Sequence, residues 1–155
     1  MSYKDARGWL TADEREVIFA AAQAGSVILN VGIEYGASIH CLRAGNPNCY
    51  IVAIDLIGDE KFEGDRSGVQ FIKGDSTQLV LENGVDVAFI DGGHDYETVK
   101  KDIAQFAPVT RKLLLFHDYS DQEMHAGVKQ ALDEWESSEW EKIDQVDTIA
   151  VYKRT

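Results

Sequence analysis

Cysteine and proline are scarce in this sequence, which has two of each among its 155 residues. Cys41 and Cys49 are too few for a disulfide framework, and they lack the Cys-x-x-Cys spacing of zinc and redox sites. We therefore interpret both cysteines as packing residues. The prolines are far apart and the glycines are dispersed, so no linker is indicated, and we expect a single domain over residues 1–155.

Positive charge and long hydrophobic runs are also in short supply. The 15 Lys and Arg residues stand against 27 Asp and Glu residues, which gives a formal net charge of −12 and a pI near 4.6. Such a surface repels phosphate backbones and acidic lipids, so we expect neither nucleic acid nor a membrane as partner. The apolar stretches at 27–29 and 112–116 are far shorter than the ~20 residues of a membrane span. Without an apolar N-terminal run, a cytoplasmic protein is predicted.

What the sequence does contain is a series of short apolar runs rich in β-branched residues. Unbroken apolar strands of this kind are typical of a parallel sheet that is covered on both faces, because one-sided sheets alternate apolar with polar residues. We predict five such strands, at 26–31, 50–54, 69–72, 85–90 and 112–116.

Helix signals lie between these strands. Thr11 and Glu14 form a capping-box pattern, which predicts a helix over residues 12–24. Asp95 is a candidate cap for a helix whose apolar residues run from Tyr96 to Phe106. The alternation indicates an α/β fold, a Rossmann-like doubly wound sheet with helices on both faces. Further helices are predicted at 37–44, shortly after residue 75 and around 124–135. Residues 56–68 are expected to be mostly loop, and 140–153 to form one or two closing strands, at least one of them antiparallel.

Each predicted strand is followed directly by a polar or glycine-rich motif. In an open parallel sheet the carboxyl ends of the strands share one edge, and ligands bind in the crevice outside that edge. Five motifs should therefore meet at one site. They are Gly-Ile-Glu-Tyr-Gly at 32–36, Asp55, Gly-Asp-Ser at 74–76, Asp-Gly-Gly-His at 91–94 and His-Asp-Tyr at 117–119.

The first two motifs favour an adenosine ligand. Gly32 and Gly36 allow a sharp turn and a close approach of a ligand to the backbone. Asp55 ends the next strand, where an acidic side chain can accept hydrogen bonds from both ribose hydroxyls. The Gly-x-Gly-x-x-Gly fingerprint and the Gly-Lys-Ser/Thr loop are both missing, and Glu34 would oppose a phosphate. S-adenosylmethionine, which is cationic and has no phosphate, fits these residues. A nicotinamide-dependent oxidoreductase, which would share Asp55, is an alternative.

With these motifs the sequence resembles the class I S-adenosylmethionine-dependent methyltransferases, in particular the small branch of sugar and antibiotic O-methyltransferases. The resemblance rests on Val-Gly-Ile-Glu-Tyr-Gly-Ala-Ser at 31–38, Phe-Ile-Asp-Gly-Gly-His-Asp-Tyr at 89–96 and Phe-His-Asp-Tyr at 116–119. It implies methylation of a hydroxyl on a small molecule or saccharide. It also implies cofactor contacts in three groups: Gly32, Gly36 and Asp91 near the methionine part, Asp55 at the ribose, and Asp75 and Ser76 at the adenine. Glu34 and Ser38 are further candidate cofactor-binding residues.

Two features depart from the family pattern. Asn30 stands where the family usually has an acidic residue, so part of the amine recognition is expected at Glu34 or Asp91. The chain also has few residues in the regions where such enzymes usually build a substrate lid. A homo-oligomer could complete the acceptor pocket, and a cofactor-binding module without catalysis, acting as a subunit or regulatory partner, is an alternative function.

Methyl transfer to oxygen requires a positioned nucleophile and a base that removes its proton. His94 is the preferred base, because it precedes a predicted helix whose partial positive charge keeps the ring neutral. His117 and Asp118 are the other candidates. His40 and His125 are interpreted as packing or solvent residues.

A divalent metal is a further option that the resemblance implies, since some relatives use one to acidify the acceptor hydroxyl. Asp91, Asp118 and His117 occupy comparable places. Magnesium prefers oxygen ligands, so a histidine ligand would suit manganese, iron or zinc better.

Overall fold

Seven strands form one sheet in the computed structural model, which describes residues 1–155. In chain order they are β1 (Val27–Val31), β2 (Tyr50–Asp55), β3 (Val69–Lys73), β4 (Val85–Ile90), β5 (Thr110–Phe116), β6 (Trp140–Val146) and β7 (Ile149–Arg154). Their spatial order is β3-β2-β1-β4-β5-β7-β6. The first five strands are parallel, and β7 pairs antiparallel with β5 and β6. This confirms the predicted mostly parallel sheet with an antiparallel closing strand.

Helices cover both faces of the sheet, as predicted for a Rossmann-like fold. Capping side chains open two of them: Thr11 accepts from the Glu14 amide, and Asp95 accepts from the Thr98 amide. The first helix ends two residues earlier than the predicted 24, since residues 23 and 24 form a turn. The helices are α1 (Ala12–Ala22), α2 (Ala37–Gly45), α3 (Tyr96–Phe106) and α4 (Ala126–Glu134), with 3-10 turns at Ser76–Gln78 and Glu123–His125.

Side chains of the sheet and the helices form two apolar cores, one on each face of the sheet. On one face α3 and α4 bury residues such as Phe106 and Leu132. On the other face α1 and α2 bury residues such as Ile18 and Leu42. Cys41 and Cys49 lie in this second core as free, buried thiols, which confirms the packing interpretation.

The strand register aligns the predicted motifs along one edge. Val31 is paired with Ile54 of β2 and with Ile90 of β4, and Ile90 is paired with Phe116 of β5. The residue after each of these four therefore lies at the same end of the sheet. The segment 56–68 contains neither helix nor strand, as expected. None of the helices has the length and apolar character needed to cross a bilayer.

Candidate active site

A cavity of about 800 Å³ opens at the carboxyl edge of the sheet. This volume lies within the range of small-molecule and cofactor sites. Asp55 and Asp91 both line it, as the hypothesis of one shared site requires. The predicted site residues in its wall are Gly32, Glu34, Gly36, Ser38, Asp55, Asp91, His94, His117 and Asp118.

Asp75 and Ser76 do not line the cavity, so their contact with the adenine stays a prediction. Asp75 caps the 3-10 turn that follows it, and its Oδ1 accepts hydrogen bonds from the Thr77 amide at 2.9 Å and the Thr77 hydroxyl at 2.8 Å. Ser76 donates its hydroxyl to Asp102 Oδ1 at 2.8 Å. Local hydrogen bonds thus direct both side chains toward protein partners.

The two glycines are required by the packing of the protein itself. Both have positive φ, 86° at Gly32 and 87° at Gly36, which only glycine adopts readily. A Cβ atom on Gly32 would lie 2.0 Å from the Asp91 carbonyl oxygen, and one on Gly36 would lie 2.3 Å from the Phe62 ring. The sequence prediction assigned this close approach to a ligand, whereas the nearest atoms belong to the β4 end and to the 56–68 loop.

Asp55 is held by the backbone around it. Its Oδ2 accepts a hydrogen bond from the Ile33 amide at 2.7 Å, and its Oδ1 accepts one from the Ile57 amide at 2.8 Å. Each carboxylate oxygen has a second lone pair, so Asp55 can still accept hydrogen bonds from a ligand. The two amides fix the carboxylate against the glycine loop at the cavity wall.

His117 lies in the cavity wall, with carboxylates on both sides of its ring. Its Nδ1 is 3.1 Å from Asp91 Oδ1, and its Nε2 is 3.3 Å from Glu14 Oε2. Burial lowers the pKa of His117, but hydrogen bonds to Asp118, Asp91 and Glu14 outweigh it and raise the pKa to about 12. Both nitrogens therefore carry protons, and His117 lacks the free lone pair that its predicted role as a base requires.

Glu14 is a site residue that the sequence reasoning missed. It is 1% exposed, and its Oε1 accepts hydrogen bonds from the Thr148 amide at 3.0 Å and hydroxyl at 2.7 Å. The capping box with Thr11 was visible in the sequence and accounted for this glutamate completely. No local signal could show that its carboxylate also reaches His117.

Asp118 connects three imidazole rings at the end of β5. Its Oδ2 is 2.7 Å from His94 Nε2, and its Oδ1 is 3.3 Å from both His117 Nδ1 and His125 Nε2. Asp118 has a positive φ of 64°, which aspartate tolerates better than most residues. Burial raises the pKa of Asp118, but His117, His94 and His125 outweigh this effect and hold the pKa below its ordinary value.

His125 belongs to the site, although it was predicted to be a packing or solvent residue. It is buried, lines the cavity and contacts Ser120 Oγ through Nδ1 at 2.8 Å. Its position at the start of α4 carries no motif, so the sequence held no signal for its role.

The N-terminal segment forms part of the cavity wall, although the sequence was predicted to have few residues for a substrate lid. Residues 8–11 line the cavity, and Trp9 is 82% exposed. The Trp9 indole N–H donates to Glu34 Oε1 at 3.3 Å, which ties the segment to the glycine loop.

Comparison with known proteins identifies the family. The family described as "Methyltransferase domain" matches residues 29–119, which hold all the strand-end motifs. No curated protein matches the chain. The comparison with solved structures, in contrast, finds similar folds.

Three similar structures illustrate this fold. A cofactor-bound protein from MTB has 18% identity and a TM-score of 0.75, over 99% of this chain and 86% of that chain. An O-methyltransferase from Bacillus cereus in complex with SAH has 13% identity and a TM-score of 0.68, over 95% and 83%. The MycE methyltransferase of the mycinamycin biosynthetic pathway, in complex with Mg and SAH, has 16% identity and a TM-score of 0.65, over 96% and 51%. The family match covers more than half of the sequence, and the chain belongs to the methyltransferase domain family.

Proposed function

We propose that this protein transfers a methyl group from S-adenosylmethionine to a hydroxyl of a small molecule or saccharide. The observation that carries the proposal is the single cavity in which Asp55, Asp91 and His94 meet. Two of the similar structures contain SAH, which is what S-adenosylmethionine becomes after it donates its methyl group. Bound in the cavity, the cofactor supplies a methyl carbon that its sulfonium has already activated.

The carboxylates of the wall suit this cofactor. Asp55, fixed by two amides, is placed to accept the ribose hydroxyls. Glu34 and Asp91 supply negative charge for the ammonium and sulfonium groups, beside Gly32, Gly36 and Ser38. No Lys or Arg lines the cavity, so nothing there favours a phosphate-bearing dinucleotide over this cationic cofactor.

His94 is the base in this proposal. Its Nε2 lies 2.7 Å from Asp118, which orients the ring, and its Nδ1 has no protein partner. The side chain is 44% exposed, in the cavity wall, and α3 begins two residues later at Tyr96. Nδ1 of His94 would take the proton of the acceptor hydroxyl as the acceptor oxygen gains the methyl group. A bound cofactor would supply that methyl group and leave as the neutral thioether.

Calorimetry with SAH tests the cofactor site. We expect Asp55→Ala to weaken binding by ~1.5 to 3 kcal/mol, since charge-assisted hydrogen bonds to the ribose are lost. Asp65→Ala in the exposed 56–68 loop is the matched control and should bind as the parent protein does. An equal dissociation constant for Asp55→Ala and Asp65→Ala would contradict the site.

Labelled S-adenosylmethionine with neutral glycosides and catechols as acceptors tests the reaction. His94→Ala should bind SAH normally but turn over ~100-fold more slowly, because general-base catalysis is lost. Equal rates would remove His94 from the mechanism. Tight SAH binding without transfer to any acceptor would favour a binding module instead.

A further inference from the structure

Two imidazole nitrogens converge on one carboxylate at the cavity wall. His94 Nε2 is 2.7 Å from Asp118 Oδ2, and His125 Nε2 is 3.3 Å from Asp118 Oδ1. The two rings meet edge to face, with centroids 5.4 Å apart. One ligand atom from each residue lies within 4.8 Å of the others. Ligand atoms bound to one zinc-sized ion at ~2.1 Å lie about 3.0 to 3.4 Å apart, so little movement would complete such a shell.

Partners outside this trio fix its orientation. His125 Nδ1 lies 2.8 Å from Ser120 Oγ. When the Ser120 hydroxyl oxygen accepts a hydrogen bond from Nδ1–H, the Nε2 lone pair is directed toward Asp118 and the space beside it. His117 Nδ1 lies 3.3 Å from Asp118 Oδ1 and also holds the carboxylate in place. Hydrogen bonds of this kind orient histidine and carboxylate ligands in established metal sites.

The neighbouring group of Asp91, His117 and Asp118 also has ligand atoms within 4.8 Å of one another. His117, however, is 8% exposed and contacts a carboxylate at each nitrogen. Both of its nitrogens are thus already engaged by carboxylates. The three positions at which the sequence predicted a metal are therefore a poorer site than His94, Asp118 and His125.

We propose that His94, Asp118 and His125 bind one first-row transition-metal ion, such as zinc or cobalt, in preference to magnesium. Two imidazoles and one carboxylate favour these ions, whereas magnesium prefers a shell of oxygen atoms. The donor set thus differs from what the Mg in the MycE complex would suggest.

When the ion is bound, His94 cannot act as the base of methyl transfer. This consequence rests on the proposed function. An ion bound at Nε2 leaves the proton on Nδ1, so the ring donates where a base must accept. Zinc should therefore slow methyl transfer, and a chelator should restore it. Ion binding itself does not depend on any methyl transfer.

The test uses untagged protein that has been stripped with EDTA and dialysed. Cobalt chloride is titrated by visible absorption, and zinc chloride and magnesium chloride by calorimetry. We expect one zinc or cobalt ion per chain, with magnesium bound at least ~100-fold more weakly. His125→Gln should weaken zinc binding at least ~100-fold, because a first-row ion loses one of its three protein ligands. Ser120→Ala should weaken it ~10-fold by freeing the ring.

His40→Gln is the matched control. His40 lies outside the cavity wall, where its Nε2 contacts the Glu63 carbonyl oxygen, so zinc binding should be unchanged. Circular dichroism and SAH binding of each variant show that the fold is intact. The proposal is overturned if zinc and cobalt do not bind, if magnesium binds as tightly as zinc, or if folded His125→Gln retains the parent affinity. Zinc binding without SAH binding would refute the proposed function and leave the metal site standing.

Discussion

Glu14 on α1 and Asp102 on α3 are both buried carboxyl groups, on opposite faces of the sheet, and their surroundings differ sharply. Glu14 accepts hydrogen bonds from the Thr11 amide, from the amide and hydroxyl of Thr148, and from His117. Asp102 is 0% exposed, accepts one hydrogen bond from Ser76, and leaves its Oδ2 without any partner.

The pKa values of the two groups move in opposite directions for this reason. Burial raises the pKa of Glu14, but its hydrogen bonds outweigh burial and lower the value from 4.5 to about 2. Burial also raises the pKa of Asp102, and there the single Ser76 hydroxyl cannot compensate, so the value rises from 3.8 to about 6. The number and charge of the partners, more than burial itself, decide whether an interior carboxylate stabilises this fold.

Removing the Glu14 carboxylate should have the largest effect on stability. We expect Glu14→Ala to lower the free energy of unfolding by about 4 kcal/mol, because it leaves buried donors, including the charged His117, without a partner. Urea denaturation at pH 7 measures the change. Glu16→Ala, on the same helix with its side chain 51% exposed, is the control and should cost less than about 1 kcal/mol. Equal losses of unfolding free energy in Glu14→Ala and Glu16→Ala would show that the buried hydrogen bonds of Glu14 do not stabilise the fold more than an exposed carboxylate does.

Removing the charge of Asp102 should have the opposite sign. Since its folded-state pKa is raised, the contribution of Asp102 to stability is full below pH 3.8 and is lost as the pH rises through about 6. Asp102→Asn should therefore stabilise the protein by up to about 3 kcal/mol at pH 8 and by almost nothing at pH 4. Thermal unfolding at both pH values tests this. Glu97→Gln, exposed on the same helix, should show no such pH dependence.

The dependence of the unfolding free energy on pH below 7 tests the lowered pKa of Glu14 without shortening its side chain. Its lowered pKa means that its contribution is full above pH 4.5 and is lost as the pH falls through about 2. Between pH 7 and pH 3 the parent protein should lose about 2 kcal/mol more than Glu14→Gln, which cannot titrate. Parallel curves from urea denaturation would show that Glu14 has an ordinary pKa.

The smallest effect on stability is expected from removing the Ser76 hydroxyl, which donates the single hydrogen bond that Asp102 accepts. Ser76→Ala should destabilise the protein by about 1 kcal/mol at pH 8 and raise the pKa of Asp102 further, because the ionised carboxylate loses its single donor. Carboxyl-carbon NMR of Asp102 reports the pKa directly. A lower pKa in the variant would mean that another donor reaches Oδ2.

Much of the fold could be predicted because it follows from local patterns. β4 has the predicted bounds, and Thr11 and Asp95 cap the N-termini of α1 and α3 as predicted. β5 begins at Thr110, two residues before the predicted start. The first residues of β5 are polar, so an apolar pattern does not include them. Thr110 is nevertheless buried, and its hydroxyl donates a hydrogen bond to the Phe106 carbonyl oxygen.

The candidate site was predictable where residues directly follow strands. Asp55, Asp91 and Asp118 were found in this way. Glu14 and His125 were missed, because they reach the cavity from helices whose own patterns give no reason to expect them there.

The sequence by itself determined the order of strands and helices and the edge at which the polar motifs gather, because parallel strands bring their carboxyl ends to one side of a sheet. The tertiary structure alone decided which of those side chains could act as a base, a metal ligand or a buried ion. His117 and Glu14 are 103 residues apart and meet only when α1 packs against the sheet edge. Charge states in a protein interior depend on such partners, and these come from packing between distant segments.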